Sequence, residues 1–285
     1  MKLTTISMEL ISNYETYLKE AERSKATLDK YIRDIIKFYN FLPESKPINK
    51  QVILDYKVSL EEEYKMTSIN SMLVALNGFL EFLDLKAFKV KLYKLQQRMF
   101  SDQNKELTKL EYMRLLSVAK NHDNHRLYML IQAICSTGLR VSEHKAITVE
   151  SLKRGRGIIN NKGKIREIYF DRKLSKMLLE YCKSKGIKSG CVFLTSHGKP
   201  LDRSNIWRMM KELCEDANVA REKVFPHNLR HLFAFQYYRL EKDLVRLAGL
   251  LGHSSIETTR IYTMSKGTDC IKIISRLGLI HLPIE

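Results

Sequence analysis

The chain has 285 residues, long enough for two domains, and its 44% hydrophobic and 28% charged content is that of a folded globular protein. Its formal net charge of +17, from 49 Lys and Arg against 32 Asp and Glu, is too large for an ordinary metabolic enzyme and points to a nucleic acid or an anionic membrane. The longest apolar run, "LYMLIQAIC" at residues 127–135, is far shorter than a bilayer span, and the opening "MKLTTISMEL" lacks the apolar core of a signal peptide. No membrane partner and a cytoplasmic location are therefore expected.

Helical periodicity governs the first hundred residues. In "TLDKYIRDIIKFYNFL" the residues Leu28, Tyr31, Ile32, Ile35, Phe38, Tyr39 and Leu42 recur at spacings of three and four, which lays one apolar stripe along a helix. Two further stretches repeat the pattern, with Pro43 and Pro47 interrupting the chain between helices, so residues 1–97 read as a small all-helical domain. Lys25, Lys30, Arg33 and Lys37 fall on or beside the polar side of that helix. They are candidate DNA-phosphate contacts, although such a run is usually only a solvated face.

Residues 98–106, "RMFSDQNKE", are polar and aperiodic and read as a linker to a larger domain over residues 107–285. That domain opens with a helix from "LTKLEYMRLLSVAK", where Thr108 and Glu111 have the spacing of a capping box. A second helix, "HRLYMLIQAICSTG", ends at Gly138. The period then shortens: "GRGIINNKGKIREIYF" alternates about a Lys162-Gly163 turn, as an antiparallel hairpin does. From Arg172 the chain is again largely helical. The fold class expected is mainly α, with a small β-sheet in the second domain. The five cysteines, Cys135, Cys182, Cys191, Cys214 and Cys270, are scattered and form no C-x-x-C pair, so neither a disulfide framework nor a cysteine zinc site is indicated.

Three stretches have the side chains to surround a phosphate: "STGLRVSE" with Arg140, "PHNLRHLFA" with His227 and Arg230, and "LLGHSSIETTRIYT" with His253 and Tyr262. A phosphodiester under attack gathers negative charge on its non-bridging oxygens, and two guanidiniums can match that charge in a bidentate geometry that lysine cannot copy. A tyrosine nucleophile, with a free pKa near ~10, needs cations or a base nearby to shed its proton. Histidines can supply that help, and a lysine at the hairpin tip can protonate the leaving oxygen. His227 and His231 are also spaced as zinc ligands on a helix can be, but no third ligand lies near them in sequence and no metal is expected.

These motifs, in this order and spacing, resemble those of the tyrosine recombinases of the phage-integrase and Xer type. The likeness covers nearly the whole chain, since the opening helices are similar to the family's SAM-like core-DNA-binding domain. What the resemblance implies is a site-specific recombinase, of an integrase or resolvase and often of a mobile element, that cuts and rejoins DNA through a 3′-phosphotyrosyl intermediate without metal or nucleotide cofactor. On that footing Tyr262 is the nucleophile and Arg140 and Arg230 clamp the phosphate. His227 assists proton transfer and His253 hydrogen-bonds the phosphate region. Lys162 is taken as the general acid because it directly precedes the turn glycine, with Lys164 as the alternative, and Glu143 resembles a carboxylate that orients Arg140.

The implied partners are a double-stranded recombination site, three further copies of the chain in a tetramer on two duplexes, with a dimer at each site, and an accessory or directionality protein. The tail "CIKIISRLGLIHL" has a helical apolar face, which in relatives docks on a neighbouring protomer; packing in cis is the other option. His144 and Leu232 depart from the family pattern at positions that bear on packing. A type IB topoisomerase and a catalytically silent DNA-binding protein are the competing readings. The first is disfavoured by the "TGLRVSE" and "LGHSSIETT" signatures, the second by the full set of catalytic side chains.

Overall fold

A computed structural model of the chain describes residues 4–95, 105–161, 163–253 and 255–263. The chain divides into two compact units, Met1–Gln97 and Arg98–Glu285. The first is built on four helices: α1 (Met8–Glu20), α2 (Lys25–Phe41), α3 (Lys50–Glu63) and α4 (Met66–Phe82). Local chemistry sets three of the starts, because Ser7, Ser24 and Asn49 each accept a backbone N–H of the first turn and so satisfy a donor that the helix itself leaves open. A two-residue antiparallel ladder between β1 (Thr4–Thr5) and β2 (Pro47–Ile48) ties the N-terminus to the α2–α3 connection.

The apolar stripe of α2 faces inward through Leu28, Ile35 and Phe38, which join Ile53, Ile69, Leu73 and Phe79 in one core. Each such side chain, taken fully out of water, contributes about 1.5–3 kcal/mol, which is how short helices of this kind hold together. Asp34 also lies buried in α2, and the Lys30 ammonium bonds its carboxylate.

The second unit begins with α5 (Lys109–Asn121), whose start is the expected capping box: Thr108 Oγ1 accepts from Glu111 N and Glu111 Oε2 accepts from Thr108 N. Next comes α6 (His125–Thr137), which stops at Gly138 in the left-handed region at φ 64°. A 3-10 turn over Val141–Ala146 leads to α7 (Val149–Lys153) and then to the hairpin of β3 (Arg156–Asn161) and β4 (Lys164–Tyr169). Asn161 pairs with Lys164, and Gly163 takes φ 76° as a tight hairpin turn requires. The chain continues through α8 (Arg172–Ser184), α9 (Arg203–Lys211), α10 (Pro226–Glu241), α11 (Leu244–Leu251) and α12 (Glu257–Arg260), with a final 3-10 turn over Ile261–Thr263.

The core of this unit is centred on α6, where Leu127, Leu130, Ile131 and Ile134 are fully buried, and α10 packs against it. Of the two departures from the family pattern, Leu232 lies in this core and His144 is buried beside Phe193, with its Nδ1 on Val141 O at 2.6 Å. The tail segment expected to be helical and Cys270 lie outside the described residues, as do residues 98–104 of the stretch expected to be a linker; Cys182 and Cys214 are buried.

Candidate active site

Pro226, Arg230 and Ala234 recur every four residues on the face of α10 that turns inward, so a charged side chain occupies a stripe otherwise suited to apolar ones. Arg230 is 1% exposed. The cost of burying its guanidinium is offset by acceptors from two segments: Nη1 donates to Gly138 O at 2.7 Å, and Nη2 donates to Leu251 O at 2.6 Å and to His253 Nε2 at 2.9 Å. Burial, with Arg140 nearby, lowers its pKa to about 10, which leaves it cationic at neutral pH. Its Nε has no acceptor among the described residues.

Both carbonyl acceptors stand at helix ends, where backbone oxygens have no partner within the helix. Gly138 caps α6 and Gly252 caps α11, each with a left-handed φ near 64°. A Cβ on Gly138 would lie 2.3 Å from the Phe233 ring, so glycine is needed both for the turn and for the approach of α10.

Arg140 follows the first of these turns. Its Nη1 donates to Glu143 Oε1 at 3.0 Å and its Nη2 to Gly252 O at 3.2 Å, while about a third of the side chain stays in solvent. Glu143 is buried, with 5% of its side chain exposed. Its Oε2 accepts from Arg140 N at 2.7 Å and from Arg166 Nη2 at 2.5 Å. Burial opposes its charge, but these hydrogen bonds and the two guanidiniums prevail and hold its pKa below the ordinary value.

The histidines are arranged around Tyr262. His227 and His231, one turn apart on α10, meet edge to face with ring centres 4.7 Å apart, and His231 meets Tyr262 in the same manner at 5.0 Å. His253 lies nearly parallel to the Tyr262 ring at 6.3 Å. Its Nδ1 contacts Thr259 Oγ1 at 2.8 Å, and Thr259 is fully buried. Burial and then the neighbouring cations push His231 and His253 down to about 4, and the same causes lower His227. Tyr262 is 5% exposed, against Ala234, Leu247 and Leu251. Burial raises its pKa, while the Arg230 and Arg140 charges act to lower it.

Arg140, His227, Arg230, His253 and Tyr262, from three separate stretches of the chain, thus surround one another within a single unit. With the histidines neutral, three arginines face a single carboxylate, which leaves a net positive site suited to an anion. Lys162 lies outside the described residues, and the sequence choice between it and Lys164 stands as it was. Among the described residues no three His, Cys, Asp or Glu side chains group as a metal site.

Sequence reasoning missed Arg166, Thr259 and the contact between His231 and Tyr262. Arg166 had a signal: it precedes the buried Ile168 by two residues on β4 and so points to the same inward face. The four basic residues of α2 differ among themselves. Lys30 is engaged with Asp34 and Ser71 O, and Lys37 with Glu63 Oε2 at 2.6 Å and Tyr64 Oη at 2.7 Å, whereas Lys25 and Arg33 are exposed, Arg33 with only a long contact of 3.8 Å from its Nε to Asp34 Oδ1.

Residues 105–268 match the model of the Phage integrase family, and residues 11–86 match that of the Phage integrase, N-terminal SAM-like domain. Among curated proteins the chain is similar to tyrosine recombinase XerA of Pyrococcus furiosus, 28% identical over 291 residues that cover 99% of this chain and 98% of the relative. Its fold is similar to that of the XerH site-specific recombinase bound to its difH substrate, with TM-score 0.71, 20% identity and coverage of 95% of this chain and 84% of that one. It is similar also to the fold of a lambda integrase tetramer bound to a Holliday junction, with TM-score 0.73, 18% identity and coverage of 93% and 80%. At these identities the two structures speak for the fold alone.

Proposed function

The chain belongs to the phage integrase family, and from that premise we propose that it is a site-specific tyrosine recombinase, which cuts and rejoins DNA strands through a 3′-phosphotyrosyl intermediate. The observation that carries this reading is the convergence of the Tyr262 ring with Arg230 and His253, beside an Arg140 that is partly open to solvent. A scissile phosphate brought to Arg140 and Arg230 would find its charge matched, and Arg230 Nε, which has no acceptor among the described residues, is a donor it could engage.

Tyr262 Oη attacks phosphorus, the bond from phosphorus to the 5′-oxygen breaks, and the tyrosine is left joined to the 3′-phosphate. Neutral His227 takes the phenolic proton and Lys162 gives one to the leaving 5′-oxygen. For His253 to donate to the phosphate region, its Nε2, which accepts from Arg230 in the free protein, must take up a proton as the incoming anion approaches. A 5′-hydroxyl of a partner strand then reverses the step. The phosphotyrosyl bond stores the energy of the broken linkage, so resealing needs neither a nucleotide nor a metal ion. Since one chain supplies both the tyrosine and the arginines, cleavage occurs in cis.

The partner is double-stranded DNA, as the charge of +17 favours, and the assembly is a tetramer on two duplexes, of the kind the lambda integrase structure holds. An accessory protein sets direction. Among the described residues no helix is long and apolar enough to cross a membrane, and we place the protein in the cytoplasm with its DNA.

The test is a nicked suicide site, from which resealing is blocked. The wild type is expected to form a protein–DNA adduct that survives denaturant, and Tyr262→Phe to bind the same DNA and form none. An adduct with the Phe variant would assign the nucleophile elsewhere.

A further inference from the structure

Arg140 is long, flexible and a third exposed, yet the clamp needs its guanidinium at a set angle. Its side chain has two anchors, Glu143 Oε1 and Gly252 O. Both are in turn held by one residue outside the catalytic set. Arg166 donates from Nη2 to the other oxygen of Glu143 and from Nη1 to Leu250 O at 2.7 Å, and its Cδ lies where a Cβ on Gly252 would come within 2.5 Å. Only 11% of its side chain is exposed, and it reaches three segments at once: the arginine turn, the end of α11 and its own strand β4.

Charge gives the same residue a second effect. Without Arg166 the Glu143 carboxylate would neutralise Arg140 alone; with it, one carboxylate is divided between two guanidiniums and Arg140 keeps more of its field for an anion. A lysine could not take over, because a single ammonium does not reach Glu143 and Leu250 O in the fixed fork that a guanidinium provides.

We propose that Arg166 is a positioning residue of the phosphate clamp, holding Arg140 through Glu143 and the turn before His253 through Leu250 O. The proposal rests on the recombinase reading given above. Its readout is single-turnover adduct formation on two versions of one suicide site, with either an ordinary phosphodiester or a methylphosphonate at the scissile position. The second linkage carries one negative charge fewer, so it asks less of the clamp.

On the phosphodiester, Arg166→Gln is expected to slow cleavage about 100-fold, with DNA affinity changed less than about 3-fold. On the methylphosphonate the deficit is expected to shrink to below about 10-fold. Glu143→Gln should behave in the same way, and the double variant should be no slower than the worse single one, since both act through one link. If Arg166→Gln does not fold, the Glu143→Gln comparison across the two linkages carries the test. Equal deficits on both linkages, or a double variant whose deficit is the product of the singles, would overturn the proposal. A wild type that forms no adduct on either linkage would instead remove the recombinase reading itself, before any variant is compared.

Discussion

His253 Nε2 stands 2.9 Å from Arg230 Nη2, two groups separated by 23 residues of chain. A guanidinium nitrogen can only donate, so the imidazole nitrogen facing it must accept. The proton therefore sits on Nδ1, which donates to Thr259 Oγ1 at 2.8 Å, and His253 is neutral in the free protein. Nitrogen NMR at pH 6 is expected to report a neutral ring with the proton on Nδ1; a cationic His253 at that pH would contradict the contact with Arg230.

Acid should destabilise the fold through the same groups. His231 and His253 titrate at about 4 in the folded chain, against ~6.5 for an unperturbed histidine. Between those values the unfolded chain binds protons that the folded one refuses, so the stability these residues contribute is present above ~6.5 and is lost as pH falls toward about 4. Chemical denaturation measured across this window is expected to show falling stability on acidification. His231→Phe, which keeps an aromatic edge against Tyr262 but cannot titrate, should flatten the slope. An unchanged slope would remove His231 from the account.

Gly252→Ala should damage both fold and activity. The position has φ 64°, where a side chain costs about 1–2 kcal/mol, and the new Cβ would meet Arg166 Cδ at 2.5 Å. Arg166 would have to leave Glu143 or Leu250 O. Lower stability in denaturant together with slower adduct formation is the expected result, and a variant with wild-type values in both would refute the close packing.

Within the first unit, Lys25→Ala and Arg33→Ala are expected to lower the salt dependence of DNA affinity by about 0.9 in slope each, as the loss of one phosphate contact does. Lys37→Ala should change it less, because that ammonium is already held by Glu63 and Tyr64. Lys30 is tied to Asp34 and Ser71 O and belongs with Lys37. The opposite ranking in a salt titration would place the DNA on another face.

For the general acid, Lys162→Ala is expected to lose cleavage on an ordinary site and regain it where sulfur replaces the leaving 5′-oxygen, since a thiolate leaves without a proton. Lys164→Ala should show no such recovery. If it does, the role passes to Lys164.

Much of this was legible before folding was considered. The apolar stripe of α2, the capping box at Thr108 and Glu111, the stop at Gly138 and the hairpin turn are local matters of period, capping and positive φ, and local sequence specifies them. Arg230 was visible only through its motif. By periodicity an arginine is read as solvent-facing, and it lies inside because Gly138 O, Leu251 O and His253, all distant in sequence, meet its guanidinium there. Glu143 was visible only as a carboxylate resembling one that orients Arg140, and its burial was not legible for the same reason, since its second cation arrives from a strand 23 residues away.

By itself, then, the sequence determined the helical elements, the hairpin and the family, because each rests on residues near one another in the chain or on motifs of set order and spacing. Only the tertiary structure decided which nitrogen of His253 carries the proton, that His231 faces Tyr262, and that Arg166 braces the arginine turn. These depend on contacts between segments tens of residues apart, whose geometry is set by packing and by the demand that every buried charge find a partner.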